Sequence, residues 1–346
     1  MQRPANTSIY RHTGMGLACV LLAALLAGCG ERIESFGGPT MGSTYTIKYV
    51  RTSSGPSPSE VQSKVEAALR EVDEQMSTYR KDSLVSRFNR LPAQSCMELP
   101  ESMLSLVRYG SQLSEDSGGS YDLTVEPLMN LWGFGPDAHG ERVPSAAEIA
   151  QVLQHIGHRH LHIEQQQLCK DTDIKLDFDS IAAGFTVDQV SALLEQMGIH
   201  SYLTEITGEL KAVGLKPDGS AWRIAIEAPR NDEQVAQISL DLDGYGMSTS
   251  GDYRNYFEAN GNHYSHLFDP TTGAPITHNL TSVTVIDRSA RNADGLSTLL
   301  IVMGPVRGFQ YALVHQVAAV FITREEKTFV SHNTPALDAL LAQKAN

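Results

Sequence analysis

The distribution of strand and helix patterns along the chain is what most limits the folds it can adopt. In the second half, seven short apolar segments with strand character are interrupted by only three helical patterns. The predicted strands are residues 202–206, 210–213, 222–227, 238–242, 280–286, 317–323 and 328–331, and the predicted helices are 293–302, 306–314 and 335–343. No internal repeat of fixed period is visible. The pattern predicts an α+β protein with mixed or antiparallel sheets and helices packed on their faces.

The first half is predicted to contain more helix. Val61, Val65 and Leu69 share one stripe of an amphipathic helix, and Ser145 with Glu148 forms a capping box that opens another. Helices are predicted at 59–76, 83–89 as its continuation, 102–117, 145–155 and 181–197, and strands at 44–50, 161–163 and 175–178. A chain of 346 residues suits one large domain or two intertwined ones.

The N-terminus has the pattern of an export signal. Arg3 and Arg11 precede an apolar run at 17–26, which is too short to span a bilayer as a stable helix. The run ends in Leu-Ala-Gly-Cys29, which resembles a bacterial lipobox; an ordinary signal peptide is the alternative. We therefore predict a signal peptide at 1–28, a lipidated tether at 29–37 with lipid on Cys29, and a folded domain at 38–346. The expected location is the periplasmic face of a membrane, with inner and outer membrane left open.

Two cysteines remain in the predicted domain, Cys96 and Cys169. In an oxidising compartment they could pair, or they could be two buried thiols. The sequence leaves this open.

Charge restricts the class of ligand. The net charge of −13 argues against a nucleic-acid-binding protein, because phosphate backbones are bound by surplus Lys and Arg. An acidic protein that binds an anionic ligand needs a local device, either a metal ion or a helix N-terminus. No GxGxxG motif and no P-loop is present, so a nucleotide would have to be held in another way.

Two segments have residues suited to bind a metal ion or a phosphate group. Residues 177–188 run from a predicted strand into a helix through small residues, where free backbone N–H groups bind phosphate and carbonyls bind metal. Asp294 and Thr298 are four residues apart, so their oxygens project from one helix face and suit Mg²⁺. The alternative for Asp294 is helix capping.

Four further residues are weaker candidates taken singly. His266 is the best acid/base candidate, because the unperturbed pKa of a histidine lies near the working pH, although a lone His is usually structural. Met41 offers an adaptable surface for a flat ring, or simply belongs to a turn. Tyr79 offers a ring for stacking or belongs to the core, and Asp122 could accept hydrogen bonds from a ligand or cap a helix.

Seven motifs occur in a fixed order, and together they resemble the ApbE family of FAD:protein FMN transferases. They are Gly-Pro-Thr-Met-Gly-Ser-Thr-Tyr, Ser-Thr-Tyr-Arg, Gly-Ser-Tyr-Asp, Ile-Ala-x-Gly-Phe-x-Val-Asp, Ser-Gly-Asp-Tyr, His-x-x-Asp-Pro-x-Thr-Gly and Ala-Asp-x-Leu-Ser-Thr. The resemblance extends from about residue 36 to the C-terminus. It implies a T-fold-related domain that binds FAD with Mg²⁺, releases AMP and attaches FMN to a Thr or Ser hydroxyl of an acceptor protein. The implied acceptors are subunits of Nqr- and Rnf-type electron-transfer complexes at the membrane.

The resemblance also implies residue roles. FAD contacts are implied for Met41, Tyr79, Asp122, Asp177 and the backbone of Leu267, metal ligation for the Ser180 carbonyl and for Asp294 and Thr298, and catalysis for His266. Ala183 stands at a cofactor-side position where the family commonly has Lys, so a cationic phosphate contact is expected to be missing.

Two other functions remain open from the sequence. A hydrolase would use the same site with water in place of the acceptor. A flavin carrier or a redox flavoprotein would bind FAD and leave it intact.

Overall fold

The computed structural model describes residues 31–227, 236–252, 256–259, 261–326 and 328–344. The strands in chain order are β1 Arg32–Thr40, β2 Ser43–Arg51, β3 Ser95–Glu98, β4 Leu161–Glu164, β5 Gln167–Lys170, β6 Tyr202–Ile206, β7 Glu209–Val213, β8 Arg223–Glu227, β9 Ala236–Asp241, β10 Tyr245–Gly251, β11 Tyr256–Ala259, β12 Asn262–Ser265, β13 Phe268–Asp269, β14 Ala274–Pro275, β15 Leu280–Asp287, β16 Ala318–Glu325 and β17 Thr328–Asn333. The α-helices are α1 Pro58–Met76, α2 Leu84–Asn89, α3 Glu101–Ser117, α4 Glu126–Trp132, α5 Ala146–Val152, α6 Ala182–Gln196, α7 Ala290–Val314 and α8 Pro335–Lys344.

One eight-stranded sheet organises the molecule. Its strand order is β1-β2-β6-β7-β10-β15-β16-β17, and each neighbouring pair is antiparallel. Small sheets formed by β3-β5-β4, β8-β9, β11-β12 and β13-β14 surround it. The predicted α+β class with antiparallel sheets is confirmed.

Both faces of the main sheet are covered, and the side chains of its strands alternate between two cores. On β16, Ala319 and Phe321 pack with α3 and α7, whereas Val320 and Ile322 pack with the two-stranded sheet β8-β9 and with α8. Because both faces are covered, seven consecutive residues from Leu280 are buried on β15, and they include the polar residues Thr281, Ser282 and Thr284.

The segment predicted as a tether belongs partly to the fold. Residues 32–37 lie in β1, which pairs along its whole length with β2 in a hairpin that turns at Met41 and Gly42. Ile33 and Phe36 are three residues apart and do not show the period of two that is typical of a strand, so no strand was predicted here. The predicted signal peptide and Cys29 lie outside the described residues.

Two other predictions in the first half are wrong in detail. Residues 83–89 do not continue α1: the helix ends at Met76, and Ser83 caps the separate helix α2 through the Ser86 N–H. Residues 175–178 do not form a strand. The Leu176 N–H donates to Asn89 Oδ1 at 2.8 Å, and Asn89 Nδ2 donates to the Leu176 carbonyl at 2.8 Å. The Asn89 side chain therefore satisfies both backbone groups that a neighbouring strand would otherwise satisfy.

A disulfide joins Cys96 on β3 to Cys169 on β5. This answers the question that the sequence left open. The bond lies in the small three-stranded sheet, at the start of the segment that leads to Asp177.

Helix α7 is bent where the sequence predicts a break between two helices. Gly304, with a φ of 81°, and Pro305 interrupt it. By length and apolar composition, α7 is the one helix among the described residues that would suffice to cross a membrane, and 50% of that apolar stretch is buried inside the protein. Its burial against the main sheet is typical of a core helix.

Candidate active site

A cavity of about 360 Å³ opens where the N-termini of α6 and α7 meet the end of β10 and the loops after α3 and β12. Eight of the ten site residues predicted within the described part of the chain line it. They are Tyr79, Asp122, Asp177, Ser180, His266, Leu267, Asp294 and Thr298. Residues separated by more than 200 positions in the sequence therefore meet in one place.

Asp294 is the most buried carboxylate of the cavity's helical side. Its side chain lies in the first turns of α7, where Oδ2 accepts the backbone N–H of Gly184 at 2.8 Å and Oδ1 lies 3.4 Å from Ser248 Oγ. Burial, together with the nearby charges of Glu209 and Asp179, raises the pKa of Asp294 well above its ordinary value. A cation at this position would relieve the cost of the buried negative charge.

A group of hydroxyls surrounds this carboxylate. Ser250 Oγ lies 3.2 Å from Thr298 Oγ1 and 2.8 Å from Ser297 Oγ, and Ser297 Oγ is 3.2 Å from Ser248 Oγ. As predicted from their spacing of four residues, Asp294 and Thr298 present their oxygens to the same cavity. The donor set is entirely oxygen, which suits a hard divalent cation.

Ser180 lies just before α6, where Ile181 is the N-cap residue. Its hydroxyl is 2.9 Å from Tyr121 Oη. The N–H of Gly184 donates to Asp294, so it does not use the Ser180 carbonyl four residues earlier. Ser180, whose carbonyl is the predicted metal ligand, lines the same cavity as Asp294.

Asp177 differs from Asp294 because one of its oxygens lacks a partner. Oδ1 accepts the N–H of Asp179 at 2.7 Å, whereas Oδ2 is buried without a hydrogen bond among the described residues. Burial, and then the charges of Asp179 and Glu126, raise the pKa of Asp177 well above its ordinary value. A ligand that offers an N–H group, or a shared proton, would satisfy this atom.

Asp122 is held by the protein itself. Oδ1 accepts the N–H and the hydroxyl of Thr124, at 2.8 and 2.7 Å, and Oδ2 accepts the N–H of His158 at 2.9 Å. The alternative that Asp122 caps a helix is wrong, because α4 begins after Val125 without a side-chain cap. Asp122 lines both this cavity and a neighbouring cavity of about 460 Å³.

His266 and Leu267 follow β12 at the cavity wall. The His266 ring lies 6.5 Å from the ring of Phe134, measured between centroids. The Leu267 N–H donates to the Ser265 hydroxyl oxygen at 3.2 Å, and the Leu267 carbonyl accepts the Ile276 N–H at 3.0 Å. A backbone contact to the nucleotide was predicted for Leu267, whose N–H and carbonyl both have hydrogen-bond partners within the protein.

An aromatic side of the cavity was not predicted. Phe134 and Phe268 line it, with ring centroids 5.8 Å apart, and belong to a cluster with Trp132 and Phe257. Tyr79 stands at the cavity with 68% of its surface exposed, which leaves its ring available for stacking. The available signal was the Trp132-Gly-Phe134 pattern at the end of α4, whose partners are distant in the sequence.

The structure places two predicted contacts outside this cavity. Met41 lies in the β1–β2 turn with a φ of 47°, and its sulfur is 3.9 Å from the Thr186 hydroxyl. Ala183 is buried in the first turn of α6. Neither residue is among those that line the cavity.

The described charged residues that line the cavity are acidic. Its described lining contains five carboxylates and no Lys or Arg; sequence reasoning missed two of these acids, Asp179 and Glu209. No group of three or more His, Cys, Asp or Glu among the described residues is arranged to hold a metal. A cation would therefore need a mixed set of carboxylate, hydroxyl and main-chain oxygens, such as the Asp294 side provides.

Comparisons with known proteins agree with this architecture. The family model described as the ApbE family matches residues 41–321. The FAD:protein FMN transferase of Vibrio cholerae serotype O1 is 41% identical over 322 residues, which cover 92% of this chain and 96% of that protein. The protein of the same name from Escherichia coli K12 is 35% identical over 343 residues, or 94% of this chain and 97% of that protein.

Solved structures are similar as well. The apo form of the flavinyl transferase ApbE from Pseudomonas stutzeri superposes with a TM-score of 0.85 and 56% identity, covering 90% of this chain and 97% of that one. The ApbE protein of Thermotoga maritima, at 24% identity and a TM-score of 0.78, shows the same fold. The chain, by its family model, its relatives and its fold, belongs to the ApbE family.

Proposed function

We propose that this chain is a magnesium-dependent FAD:protein FMN transferase that moves the FMN half of FAD onto a Thr or Ser hydroxyl of an acceptor protein and releases AMP. Family membership and relatives that carry this name over nearly the whole chain support the transferase activity. The dependence on Mg²⁺, the release of AMP and the acceptor hydroxyl are our proposal.

The single observation that carries the proposal is the charge of the cavity. FAD brings a diphosphate, yet the described lining offers five carboxylates and no Lys or Arg. Asp294, Thr298 and the Ser180 carbonyl would hold the cation. When bound, Mg²⁺ would supply the positive charge that neutralises the diphosphate oxygens and stabilises the departing phosphate.

The other side of the cavity suits the organic part of FAD. Phe134, Phe268 and the exposed ring of Tyr79 offer flat apolar surface. The unpartnered Oδ2 of Asp177 would accept a hydrogen bond from a ring N–H or share its own proton with a ring nitrogen. These residues would orient the nucleotide, while Asp122 keeps the loop at His158 in place.

His266 would accept the proton of the acceptor hydroxyl as that oxygen attacks the phosphorus of the FMN half. A new ester bond between the acceptor oxygen and phosphorus forms, the diphosphate P–O bond breaks, and AMP leaves with the bridging oxygen. A general base of this kind typically contributes about 10²- to 10⁴-fold to the rate.

The decisive experiment mixes the protein with FAD, Mg²⁺ and an acceptor subunit of the Nqr or Rnf type, and follows the intact mass of the acceptor. We expect a mass gain equal to FMN less water, together with AMP in solution. If FMN and AMP accumulate and the acceptor mass stays unchanged, the protein is a hydrolase. FAD that stays intact in the presence of Mg²⁺ and acceptor would identify a flavin carrier or a redox flavoprotein.

We also propose that Cys29 carries a lipid that attaches the enzyme to the periplasmic face of a membrane, where membrane-embedded acceptors are accessible. The Leu-Ala-Gly-Cys29 sequence supports this, and it lies outside the described residues. Cys29→Ser should release the protein into the soluble periplasmic fraction. A variant that stays in the membrane fraction would contradict the anchor.

A further inference from the structure

Helices α6 and α7 cap each other with carboxylates. Asp294 of α7 accepts the N–H of Gly184, the third residue of α6, at 2.8 Å. In the other direction, Asp188 of α6 receives hydrogen bonds from the beginning of α7. Each helix thus satisfies a backbone donor at the start of the other, where intrahelical acceptors are lacking.

The Asp188 carboxylate is fully engaged in this contact. Its oxygens accept from the Ser289 hydroxyl at 2.6 Å and from the N–H groups of Ala290 and Arg291 at 3.1 Å each. Ser289 in turn accepts the Asn292 N–H at 3.3 Å. The first three donors of α7 are therefore satisfied, two of them from another helix. The negative charge also lies at the positive end of the helix dipole.

Lys211 on β7 joins the same contact. Its Nζ lies 3.0 Å from Asp188 Oδ1, and both side chains are largely shielded from solvent. The carboxylate is thus tied to the main sheet as well as to α7. Its position is set by three elements of the fold.

The spacing of the two contacts fixes the position of α7 along α6. Gly184 and Asp188 are four residues apart, so they lie on one face of α6. A side chain at position 184 would overlap the Ala290 carbonyl and place a Cβ 2.7 Å from Asp294 Cβ, so the helices approach here as closely as glycine allows. Sliding α7 along α6 would break the Asp188 bonds and the Gly184–Asp294 bond together.

We propose that Asp188 is a positioning residue for the divalent-cation site: by capping α7 from α6, it sets the distance between the Asp294 carboxylate and the Ser180 carbonyl. The inference rests on the proposed magnesium-dependent function, because Ser180 and Asp294 are its expected ligands. Asp188 does not itself line the cavity and acts only through the two helices. Residues that orient metal ligands in this way typically change metal affinity by about 10- to 100-fold when they are removed.

The test is Mn²⁺ binding to the purified protein, measured by electron paramagnetic resonance without FAD. We expect Asp188→Ala to raise the Mn²⁺ Kd by about tenfold or more. Asp188→Asn keeps a carbonyl oxygen for part of the donors, so its Kd should lie between those of the wild type and Asp188→Ala. An Asp188→Asn Kd equal to that of the wild type would overturn the inference even if Asp188→Ala does not fold.

The matched control is Thr334→Ala, which removes another buried helix cap. Thr334 Oγ1 accepts the N–H of Ala319 on β16 and the N–H of Leu337 at the start of α8, a helix on the opposite face of the sheet. Both variants should lower the melting temperature, but only Asp188→Ala should weaken Mn²⁺ binding. If both variants keep the wild-type Kd, or both weaken binding equally, Asp188 has no positioning role.

Asp294→Ala separates this inference from the proposed function. It should abolish Mn²⁺ binding. If Asp294→Ala binds Mn²⁺ as the wild type does, or the wild type binds none, the proposed cation site and this inference both fail. If Asp294→Ala loses Mn²⁺ and Asp188→Ala retains it, only the inference fails.

Discussion

The two sides of the cavity are built in different ways. One side, which we call the helix wall, consists of Glu209, Ser250, Asp294 and Thr298, all on helices or strands. The other, the loop wall, consists of Tyr79, Asp122, Asp177, His266 and Leu267, which lie between such elements. Hydrogen bonds connect the helix wall, directly between Ser250 and Thr298 and through the Ser248 hydroxyl behind it to Glu209 and Asp294. The loop wall keeps an unpartnered carboxylate oxygen and an exposed ring.

The difference indicates a division of labour. A cation site needs ligands held at exact distances; of the proposed ligands, Asp294 and Thr298 lie on α7 and Ser180 immediately precedes α6, and these two helices cap each other. A flat organic substrate needs surface and a few hydrogen bonds, which loops can provide with some adjustment. We therefore expect changes in the helix wall to reduce the rate, and changes in the loop wall, His266 excepted, to reduce FAD affinity.

The largest effect is expected for Asp294→Ala in the helix wall. Because a metal ion at a phosphoryl group contributes several kcal/mol, FMN transfer should fall by about a thousandfold or more. Stimulation by Mg²⁺ should disappear at the same time. Transfer rates across a Mg²⁺ titration test this, and a variant that Mg²⁺ still stimulates would contradict the assignment.

His266→Ala is expected to have the next largest effect. Loss of a general base should lower the transfer rate by about a hundredfold or more while FAD binding persists. Single-turnover transfer and equilibrium FAD binding separate the two quantities. If the transfer rate is unchanged, His266 is not the general base and only lines the loop wall.

Asp177→Asn should act on affinity. The amide keeps an acceptor for the Asp179 N–H but changes the group at the unpartnered position, so we expect the FAD Kd to rise by about tenfold, as for one lost hydrogen bond. Fluorescence titration of FAD measures this. A change confined to the maximal rate would show that the division between the two walls is wrong.

The same substitution should change how stability depends on pH. Because burial raises the pKa of Asp177, the folded protein keeps a proton that the unfolded chain releases above about pH 4. The free energy contributed by this group is therefore fully present below that pH and is lost as the pH rises through the raised pKa. Denaturant unfolding at several pH values should show a shallower decline for Asp177→Asn than for the wild type.

The smallest effect is expected for Tyr79→Ala. Loss of one stacking ring should raise the FAD Kd by about fivefold, since an aromatic contact contributes roughly 1 kcal/mol. The side chain is 68% exposed, so the melting temperature should not change. Tyr79→Phe is the control and should bind FAD as the wild type does.

Much of the fold could be predicted because its signals are local. The stripe of Val61, Val65 and Leu69 predicted α1, and Asp294 and Thr298 share a cavity because residues four apart share a helix face. The errors occur where partners are distant. Residues 175–178 have a strand pattern, but the Asn89 side chain takes the place of a partner strand, and nothing near position 175 indicates this.

The candidate site was predicted unevenly for the same reason. The ordered motifs pointed to eight residues that line the cavity, yet Met41 and Ala183, which lie in the same set of motifs, are elsewhere. The motifs identify residues, not the direction of their side chains. Phe134, Phe268, Asp179 and Glu209 were missed because their importance comes from what lies opposite them.

By itself, the sequence determined the types of most elements, the antiparallel α+β class and the set of oxygen-bearing residues available for a site. Periodicity and capping act over a few residues, so a sequence can carry them directly. Only the tertiary structure decided which carboxylates become buried, that the α6 and α7 N-termini cap each other, and that the two walls meet around one acidic cavity. Those properties depend on contacts between segments about a hundred residues apart, such as Gly184 and Asp294, whose free energy is gained only when the whole chain has folded.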